Sequence, residues 1–405
     1  MANVATLGPL PKLLLLSLLG AASAEEGSVP RLPAQLQQVS QANGAACLDG
    51  TAPTYYIMRG DREKFYLHME GGGWCISLAD CAKRAGTSTG TSKFNGAATD
   101  FQGIVDGWGG WYLSNSTAIN PMMASWTKVL VNYCDGASWA GFNSTPTFYQ
   151  GKQLHFKGRA NLDGVIDALK ADTALKFGSA TDVVVSGGSA GGLSTYLHTD
   201  RFHDALPPST KVVGMPDAGF FMDNAVSVAS GWRAQVIWAA HAQNTSASAN
   251  PQCLAIYTGV EEWKCFFAQY VAPFVRSPIF ALQSMYDAYQ TSAEIKSRSP
   301  SIVNPYAVNL TATLEASLAL QSDGKTQKNG AFLDACWHHG GAWPSLQVEG
   351  TAAWDAMAVW YKGGGGKRYW KEAAPGGFPC KTCCPAAHPP ACDGGCSSCC
   401  GPLWG

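Results

Sequence analysis

Short apolar runs rich in β-branched residues recur along the chain, and small residues follow most of them. They are Tyr55–Met58, Phe65–Met69, Val129–Tyr133, Val183–Ser186, Val212–Met215 and Ile279–Met285. The runs are continuous rather than alternating, the pattern of strands buried on both faces. Helical patterns lie between several of them, for example Gly164–Lys176 and Gly192–His203. This alternation predicts an α/β fold: a mainly parallel sheet flanked by helices. In such sheets, active sites gather at the carboxyl ends of the strands.

The two ends of the chain break the pattern. Lys12 precedes the run Leu13-Leu14-Leu15-Leu16-Ser17-Leu18-Leu19, and Ala22-Ser23-Ala24 supplies a small-x-small cleavage pattern. Residues 1–24 therefore read as a secretory signal peptide. The apolar run is shorter than the ~20 residues that span a bilayer, and no integral membrane segment is expected. Residues 25–372 read as one catalytic-size domain without internal repeats. Residues 373–405 hold 7 Cys, 6 Pro and 6 Gly; such a tail cannot build an apolar core and is held by covalent links.

Fourteen cysteines agree with an oxidising, extracellular or cell-wall destination. Seven lie in the body and seven in the tail. Both counts are odd, which implies a body-to-tail bridge or an unpaired cysteine in each part. Cys75–Cys81 and Cys253–Cys265 are plausible local bridges. Cys380-x-x-Cys383 and Cys396-x-x-Cys399 also have zinc-ligand spacing, but disulfides suit a secreted chain better. Sequons at Asn115, Asn143, Asn244 and Asn309 fit a glycoprotein.

A net charge of −1 with only 14% charged residues argues against nucleic acid as a partner, since its binders carry a basic face. The 14 Trp, 14 Tyr and 16 Phe are mostly core, yet they also suit a neutral, polar substrate such as a sugar.

The strongest chemical signal follows the run Val183–Ser186. Gly187-Gly188-Ser189-Ala190-Gly191-Gly192 leads into a helical stretch: strand, Gly-x-Ser-x-Gly, helix, the pattern of a nucleophile elbow. A turn this tight needs small neighbours and projects the Ser189 hydroxyl at the strand end. Its base should follow in the chain. His198 and His203 fall on the helix leading away, and His388 lies in the tail. The pair His338-His339, in a glycine-flanked loop, is best placed. Two aspartates end strand-like runs downstream, Asp217 and Asp287, and hydrolase topology favours the later one. Phe65–Met69 ends in Glu70-Gly71-Gly72-Gly73-Trp74-Cys75, a loop that can aim backbone N–H groups at a tetrahedral oxygen, with Ala190 as a second donor.

The runs Glu70-Gly71-Gly72-Gly73-Trp74-Cys75, Tyr133-Cys134-Asp135-Gly136-Ala137-Ser138, Gly188-Ser189-Ala190-Gly191-Gly192-Leu193 and Asp217-Ala218-Gly219-Phe220-Phe221 resemble the pectin acetylesterase family, which also contains the Notum-type carboxylesterases. The resemblance spans roughly residues 40 to 350. It implies an α/β-hydrolase fold and a secreted enzyme with a Ser-Asp-His triad. The nucleophile falls on Ser189. The acid, in a Tyr-Asp-x-x-Gln context, falls on Asp287. The base, in a Cys-x-x-His context, falls on His339. The oxyanion donors correspond to Gly72 or Gly73 with Ala190. Trp74 is expected at the substrate pocket, and Asp217 is expected to act on the substrate pocket or on folding. The family often has a cysteine after the base, whereas Gly340 stands here, and the tail lies outside the resemblance. The expected activity is removal of O-acetyl groups from a polysaccharide such as pectin, with no metal or organic cofactor. The alternatives are a Notum-like deacylase acting on a lipidated protein, and a carbohydrate-binding relative without catalysis.

Overall fold

The computed structural model describes residues 33–99, 101, 110–118, 120–319, 328–341, 346–363, 366–373, 377–380 and 383. The expected signal peptide lies outside the described residues, as does most of the Cys-rich tail.

Fourteen strands are described: β1 (Ala34–Gln38), β2 (Thr54–Met58), β3 (Asp61–Met69), β4 (Ala98–Thr99), β5 (Trp126–Val131), β6 (Thr147–Tyr149), β7 (Lys152–Leu154), β8 (Asp182–Gly188), β9 (Lys211–Asp217), β10 (Phe280–Ser284), β11 (Gly330–Asp334), β12 (Gln347–Val348), β13 (Thr351–Ala352) and β14 (Tyr369–Lys371). Ten of them form one sheet in the order β14-β11-β10-β9-β8-β3-β5-β2-β1-β4. Every pairing from β14 to β5 is parallel. Strands β2, β1 and β4 add an antiparallel edge.

The continuous apolar runs are buried on both faces for the reason their pattern implies. In β8, Val183 and Val185 enter one core cluster while Val184 enters another. In β3, Phe65, Leu67 and Met69 face the first cluster and Tyr66 the second. Successive side chains of a strand point to opposite faces, so each run feeds two layers. Four helices come first in the chain: α1 (Leu78–Arg84), α2 (Gly110–Leu113), α3 (Gly158–Ala171) and α4 (Ala190–Asp204). Helix α3 (through Leu162, Val165, Ile166 and Leu169) and α4 (through Leu193, Tyr196 and Phe202) close the first face. The helix Ala353–Tyr361 closes the second through Ala356, Met357 and Trp360. The helix expected over Gly164–Lys176 begins earlier, at Gly158, and stops at Ala171.

From β3 the chain goes to β5 on one side, while β8 returns on the other. The loops leaving β3 and β8 therefore diverge and open a crevice at the carboxyl ends, the place where open α/β sheets hold their ligands. The pairing of Met69 with Gly187 sets the two strand ends side by side.

Disulfides Cys75–Cys81 and Cys253–Cys265 are both present, and Cys47–Cys134 joins the segment before β2 to the end of β5. Cys380 and Cys383 are bridged to each other, so the zinc reading does not apply to that pair. Cys336 is disulfide-bonded as well. Among the described residues, no helix is long and apolar enough to cross a membrane.

Candidate active site

Ser189 sits between β8 and α4 with φ 55° and ψ −117°, a left-handed conformation that costs a non-glycine residue free energy and persists only where surroundings enforce it. The enforcement is close packing and hydrogen bonding. The Ser189 N–H donates to the Asp217 carbonyl at 2.9 Å. A Cβ on Gly191 would stand 2.0 Å from the Met69 carbonyl oxygen, so only glycine lets the elbow lie against β3. Helix α4 starts at Ala190 and directs its positive N-terminal end at the serine.

The three strand ends deliver one hydrogen-bonded row. Ser189 Oγ lies 2.9 Å from His339 Nε2. His339 Nδ1 lies 2.7 Å from Asp287 Oδ2. A carboxylate only accepts, so the ring proton sits on Nδ1 and Nε2 is left to accept from the serine hydroxyl. Asp287 is fully buried. It receives the Gln290 N–H at 2.9 Å on Oδ1 and the Gln283 amide at 3.3 Å on Oδ2. The two loops are joined by the Ala288 N–H, which donates to the His338 carbonyl at 3.0 Å.

His338 has different partners. Its Nε2 lies 3.1 Å and 3.2 Å from the two carboxylate oxygens of Asp334, and its Nδ1 lies 3.2 Å from the Gly340 carbonyl. Both nitrogens face acceptors, so both carry protons. Burial works against the charged ring, but the Asp334 carboxylate outweighs it and raises the His338 pKa to about 9.

Behind Asp287, a turn of π-helix (Gln290–Glu294) carries a buried acid. The Gln290 amide donates from Nε2 to the Phe220 carbonyl at 3.1 Å, which fixes its oxygen toward Tyr306. Tyr306 Oη bonds that oxygen and also lies 2.9 Å from Glu294 Oε1. A phenol has one proton to give, so Glu294 supplies the second one and is neutral. Burial, reinforced by the charge of Asp287, raises its pKa well above the carboxylate range.

The glycine loop after β3 packs against the elbow: a Cβ on Gly71 would stand 2.8 Å from the Gly188 carbonyl oxygen and 3.0 Å from Ser189 Cβ. Trp74 is buried, and its Nε1 donates to Ser138 Oγ at 2.8 Å. Around it stand Phe221 (centroids 4.8 Å apart), Trp232 (6.0 Å) and Tyr289 (6.5 Å). Tyr289 stacks on the His339 ring at 5.1 Å. Asp217 is fully buried at the end of β9. Its Oδ2 accepts the Gly341 N–H at 3.2 Å, and its carbonyl holds Ser189. It thus braces the elbow and the His339 loop from within.

Sequence reasoning did not single out Arg84, Tyr133, Tyr289, Glu294 or Tyr306. Tyr133 and Tyr289 stood inside motifs of the resemblance, Tyr133-Cys134-Asp135-Gly136-Ala137-Ser138 and Tyr286-Asp287-Ala288-Tyr289-Gln290. Arg84, Glu294 and Tyr306 carry no local pattern and come together only through the fold.

The fold is that of the α/β-hydrolases, and the family and relatives that the chain matches make its class that of carboxylic ester hydrolases. The chain belongs to the pectinacetylesterase family, whose model matches residues 29–385. It is 30% identical over 361 residues to pectin acetylesterase 7 of Arabidopsis thaliana, covering 82% of this chain and 88% of that one. It is 25% identical over 337 residues to the palmitoleoyl-protein carboxylesterase NOTUM of Homo sapiens, covering 78% and 63%. Among solved structures, the Wnt deacylase Notum from Drosophila matches with a TM-score of 0.71 at 21% identity, over 84% of this chain and 97% of that one; at this identity the match carries the fold.

Proposed function

We propose that this chain is a secreted serine esterase that removes O-acetyl groups from a polysaccharide such as pectin. The observation that carries the mechanism is the row Ser189 Oγ, His339, Asp287 at 2.9 and 2.7 Å. Ser189 Oγ attacks the acetyl carbonyl carbon as His339 Nε2 takes its proton. The tetrahedral oxygen is held by backbone N–H groups of the Gly71–Trp74 loop and of Ala190, each such donor contributing roughly 3–4 kcal/mol to the transition state. Collapse breaks the bond to the sugar oxygen, which receives the proton from Nε2. Water then gives a proton to Nε2 and attacks the acetyl carbon; the bond from Ser189 Oγ to that carbon breaks as Nε2 returns the proton to Oγ, and acetate leaves. Asp287 holds the ring orientation and balances the imidazolium.

The short-acyl reading rests on the motif Cys134-Asp135-Gly136-Ala137-Ser138, whose form is nearer to the pectin acetylesterases than to Notum. Trp74, Phe221, Trp232 and Tyr289 pack together beside His339 and give the site an apolar wall. The similarity to pectin acetylesterase 7 supports acetate and a polysaccharide, and the signal-like N-terminus supports secretion.

The test is a p-nitrophenyl ester series from acetate to octanoate, beside acetate release from acetylated pectin and xylan. The expectation is a kcat/KM that falls with chain length, acetate release from pectin, and loss of both in Ser189→Ala. A long apolar pocket would gain ~0.8 kcal/mol per buried CH₂. An optimum at octanoate with no acetate released from either polymer would replace this reading by a Notum-like deacylase. Inactivity on every substrate would favour a binding protein.

A further inference from the structure

The glycine loop that faces Ser189 is held from behind by side chains that touch no reacting atom. Arg84, the last residue of α1, donates from Nη1 to the Gly72 carbonyl at 2.7 Å and from Nη2 to the Trp74 carbonyl at 3.3 Å. Its Nη1 also meets Thr89 Oγ1 at 3.0 Å. Tyr133 Oη donates to the Gly73 carbonyl at 2.7 Å and accepts the Ser138 N–H at 3.1 Å. The carbonyls of three consecutive residues are thus each tied to a side chain, and Gly71, next before them, lies against Ser189.

A trans peptide is planar, with its C=O and N–H pointing in opposite directions. Holding the Gly72 carbonyl on Arg84 therefore turns the Gly73 N–H away from Arg84. Holding the Gly73 carbonyl on Tyr133 does the same for the Trp74 N–H. A free glycine loop would sample many peptide orientations; here each carbonyl has a fixed partner.

Arg84 makes no ion pair within bonding distance of a carboxylate among the described residues; Nη1 and Nη2 bond the loop carbonyls and Thr89, Nε is buried without a hydrogen-bond partner, and its charge also acts on the buried Asp135. A cation on a carbonyl oxygen also polarises that peptide and strengthens its N–H as a donor, as hydrogen bonds in a chain do. The disulfide Cys75–Cys81 pins α1 to the end of the same loop. Loop, bridge, helix and guanidinium therefore close one ring of contacts from Gly72 to Arg84.

We propose that Arg84 is the positioning residue of the oxyanion hole: it fixes and polarises the glycine-loop peptides so that their N–H groups, first that of Gly73, meet the tetrahedral oxygen formed at Ser189. This rests on the acyl-enzyme reading above. Arg84 touches neither substrate nor nucleophile. It acts when negative charge develops on the carbonyl oxygen and leaves ground-state binding nearly unchanged.

The experiment compares wild type with Arg84→Lys and Arg84→Gln, with p-nitrophenyl acetate as substrate and a trifluoromethyl ketone that forms a tetrahedral adduct with Ser189 as probe. Loss of one oxyanion donor lowers kcat by ~10²–10³-fold. Arg84→Gln is expected to lose roughly 10–100-fold in kcat, a part of that full loss, with KM nearly unchanged and a parallel loss in affinity for the ketone. Arg84→Lys, which keeps the charge and one bond, should recover part of both. A folded Arg84→Gln with wild-type kcat overturns the proposal. So does a kcat loss without any loss of ketone affinity, the mark of a merely structural role. Arg84→Lys gives the same discrimination if the glutamine variant does not fold. Ser189→Ala separates the two levels: if it keeps turnover, the serine reading fails and the proposal falls with it. If Ser189→Ala is inactive while both Arg84 variants are normal, the proposal about Arg84 alone is wrong.

Discussion

Two histidine–aspartate pairs stand side by side at the carboxyl edge of the sheet, and their chemistry is opposite. His339 pairs with Asp287 through Nδ1 and with the Ser189 hydroxyl through Nε2. One partner only accepts and the other can give its proton away, as the proposed acyl-enzyme mechanism requires. His338 pairs with Asp334 through Nε2 and with the Gly340 carbonyl through Nδ1. Both partners accept, which favours the doubly protonated ring. The residues are neighbours in sequence and each has an aspartate. What differs is whether the second nitrogen meets a donor or an acceptor.

The pair also divides the labour of the loop. Asp334 ends β11, and its Oδ1 takes the Cys336 N–H at 2.8 Å as well as His338. The charged pair thus fixes the turn from which His339 projects. The loop of Asp287 is joined to it through Ala288 and His338.

The largest effect that tests this contrast is on turnover. His339→Ala and Asp287→Asn should each lower kcat on p-nitrophenyl acetate by orders of magnitude, roughly 10⁴ for the aspartate in the best-studied triad. His338→Ala and Asp334→Asn should cost far less, through a looser loop. The measurement is kcat with circular dichroism as a check on folding. Equal losses in the two histidine variants, or the reverse order, would exchange the roles of the pair.

Much of this site was legible in the sequence, and what was not has a physical reason. The elbow is a local device: a buried strand, small flanking residues and a helix in one stretch of chain, all of which leave a pattern. The six apolar runs fall on six strands of the sheet. The outer parallel strands escaped notice because they are short. Gly330–Asp334 offers three apolar residues between a glycine and an aspartate, and Tyr369–Lys371 is three residues long. Strand β1, Ala-Gln-Leu-Gln-Gln, lies on the antiparallel side and is only partly buried. Of the two histidines, spacing from Cys336 pointed to His339, but the reason lies in partners 52 and 150 residues away. Arg84 and Tyr133 are in the same position: each needs the loop of another element before its role exists.

A second, smaller effect is on stability against pH. The His338 pKa, about 9 in the folded chain, lies above the ordinary 6.5. A raised histidine contributes stability that is complete below the unfolded value and is lost as the pH rises through the folded one. The Tm difference between wild type and His338→Gln should therefore be largest at about pH 6 and should shrink as the pH passes about 9. Asp334 and Asp217 are the charges that favour the protonated ring. A difference that stays constant from pH 6 to 10, or grows at high pH, would mean that the ring is not held charged.

The smallest effect concerns Glu294, which sharpens the contrast from behind. The His339–Asp287 pair must carry a changing charge, so another buried negative charge nearby would raise the cost of keeping Asp287 ionised. The hydrogen-bond count around Tyr306 makes Glu294 neutral, and the fold thereby places a carboxyl near Asp287 without placing a charge there. Glutamine has nearly the same shape and can donate to Tyr306 from its amide, so Glu294→Gln should be close to silent: kcat within about threefold, and Tm within a few degrees, the shift that ~1 kcal/mol produces in a large domain. Glu294→Ala should cost more, because it leaves Tyr306 without that partner and opens a cavity, typically 2–5 kcal/mol for a large buried side chain. The comparison is made by thermal unfolding and by kcat across pH 5–8. If Glu294→Gln were instead as damaging as Glu294→Ala, or shifted the acid limb of the pH profile, Glu294 would be ionised in the native enzyme. The negative charge behind Asp287 would then belong to the catalytic electrostatics.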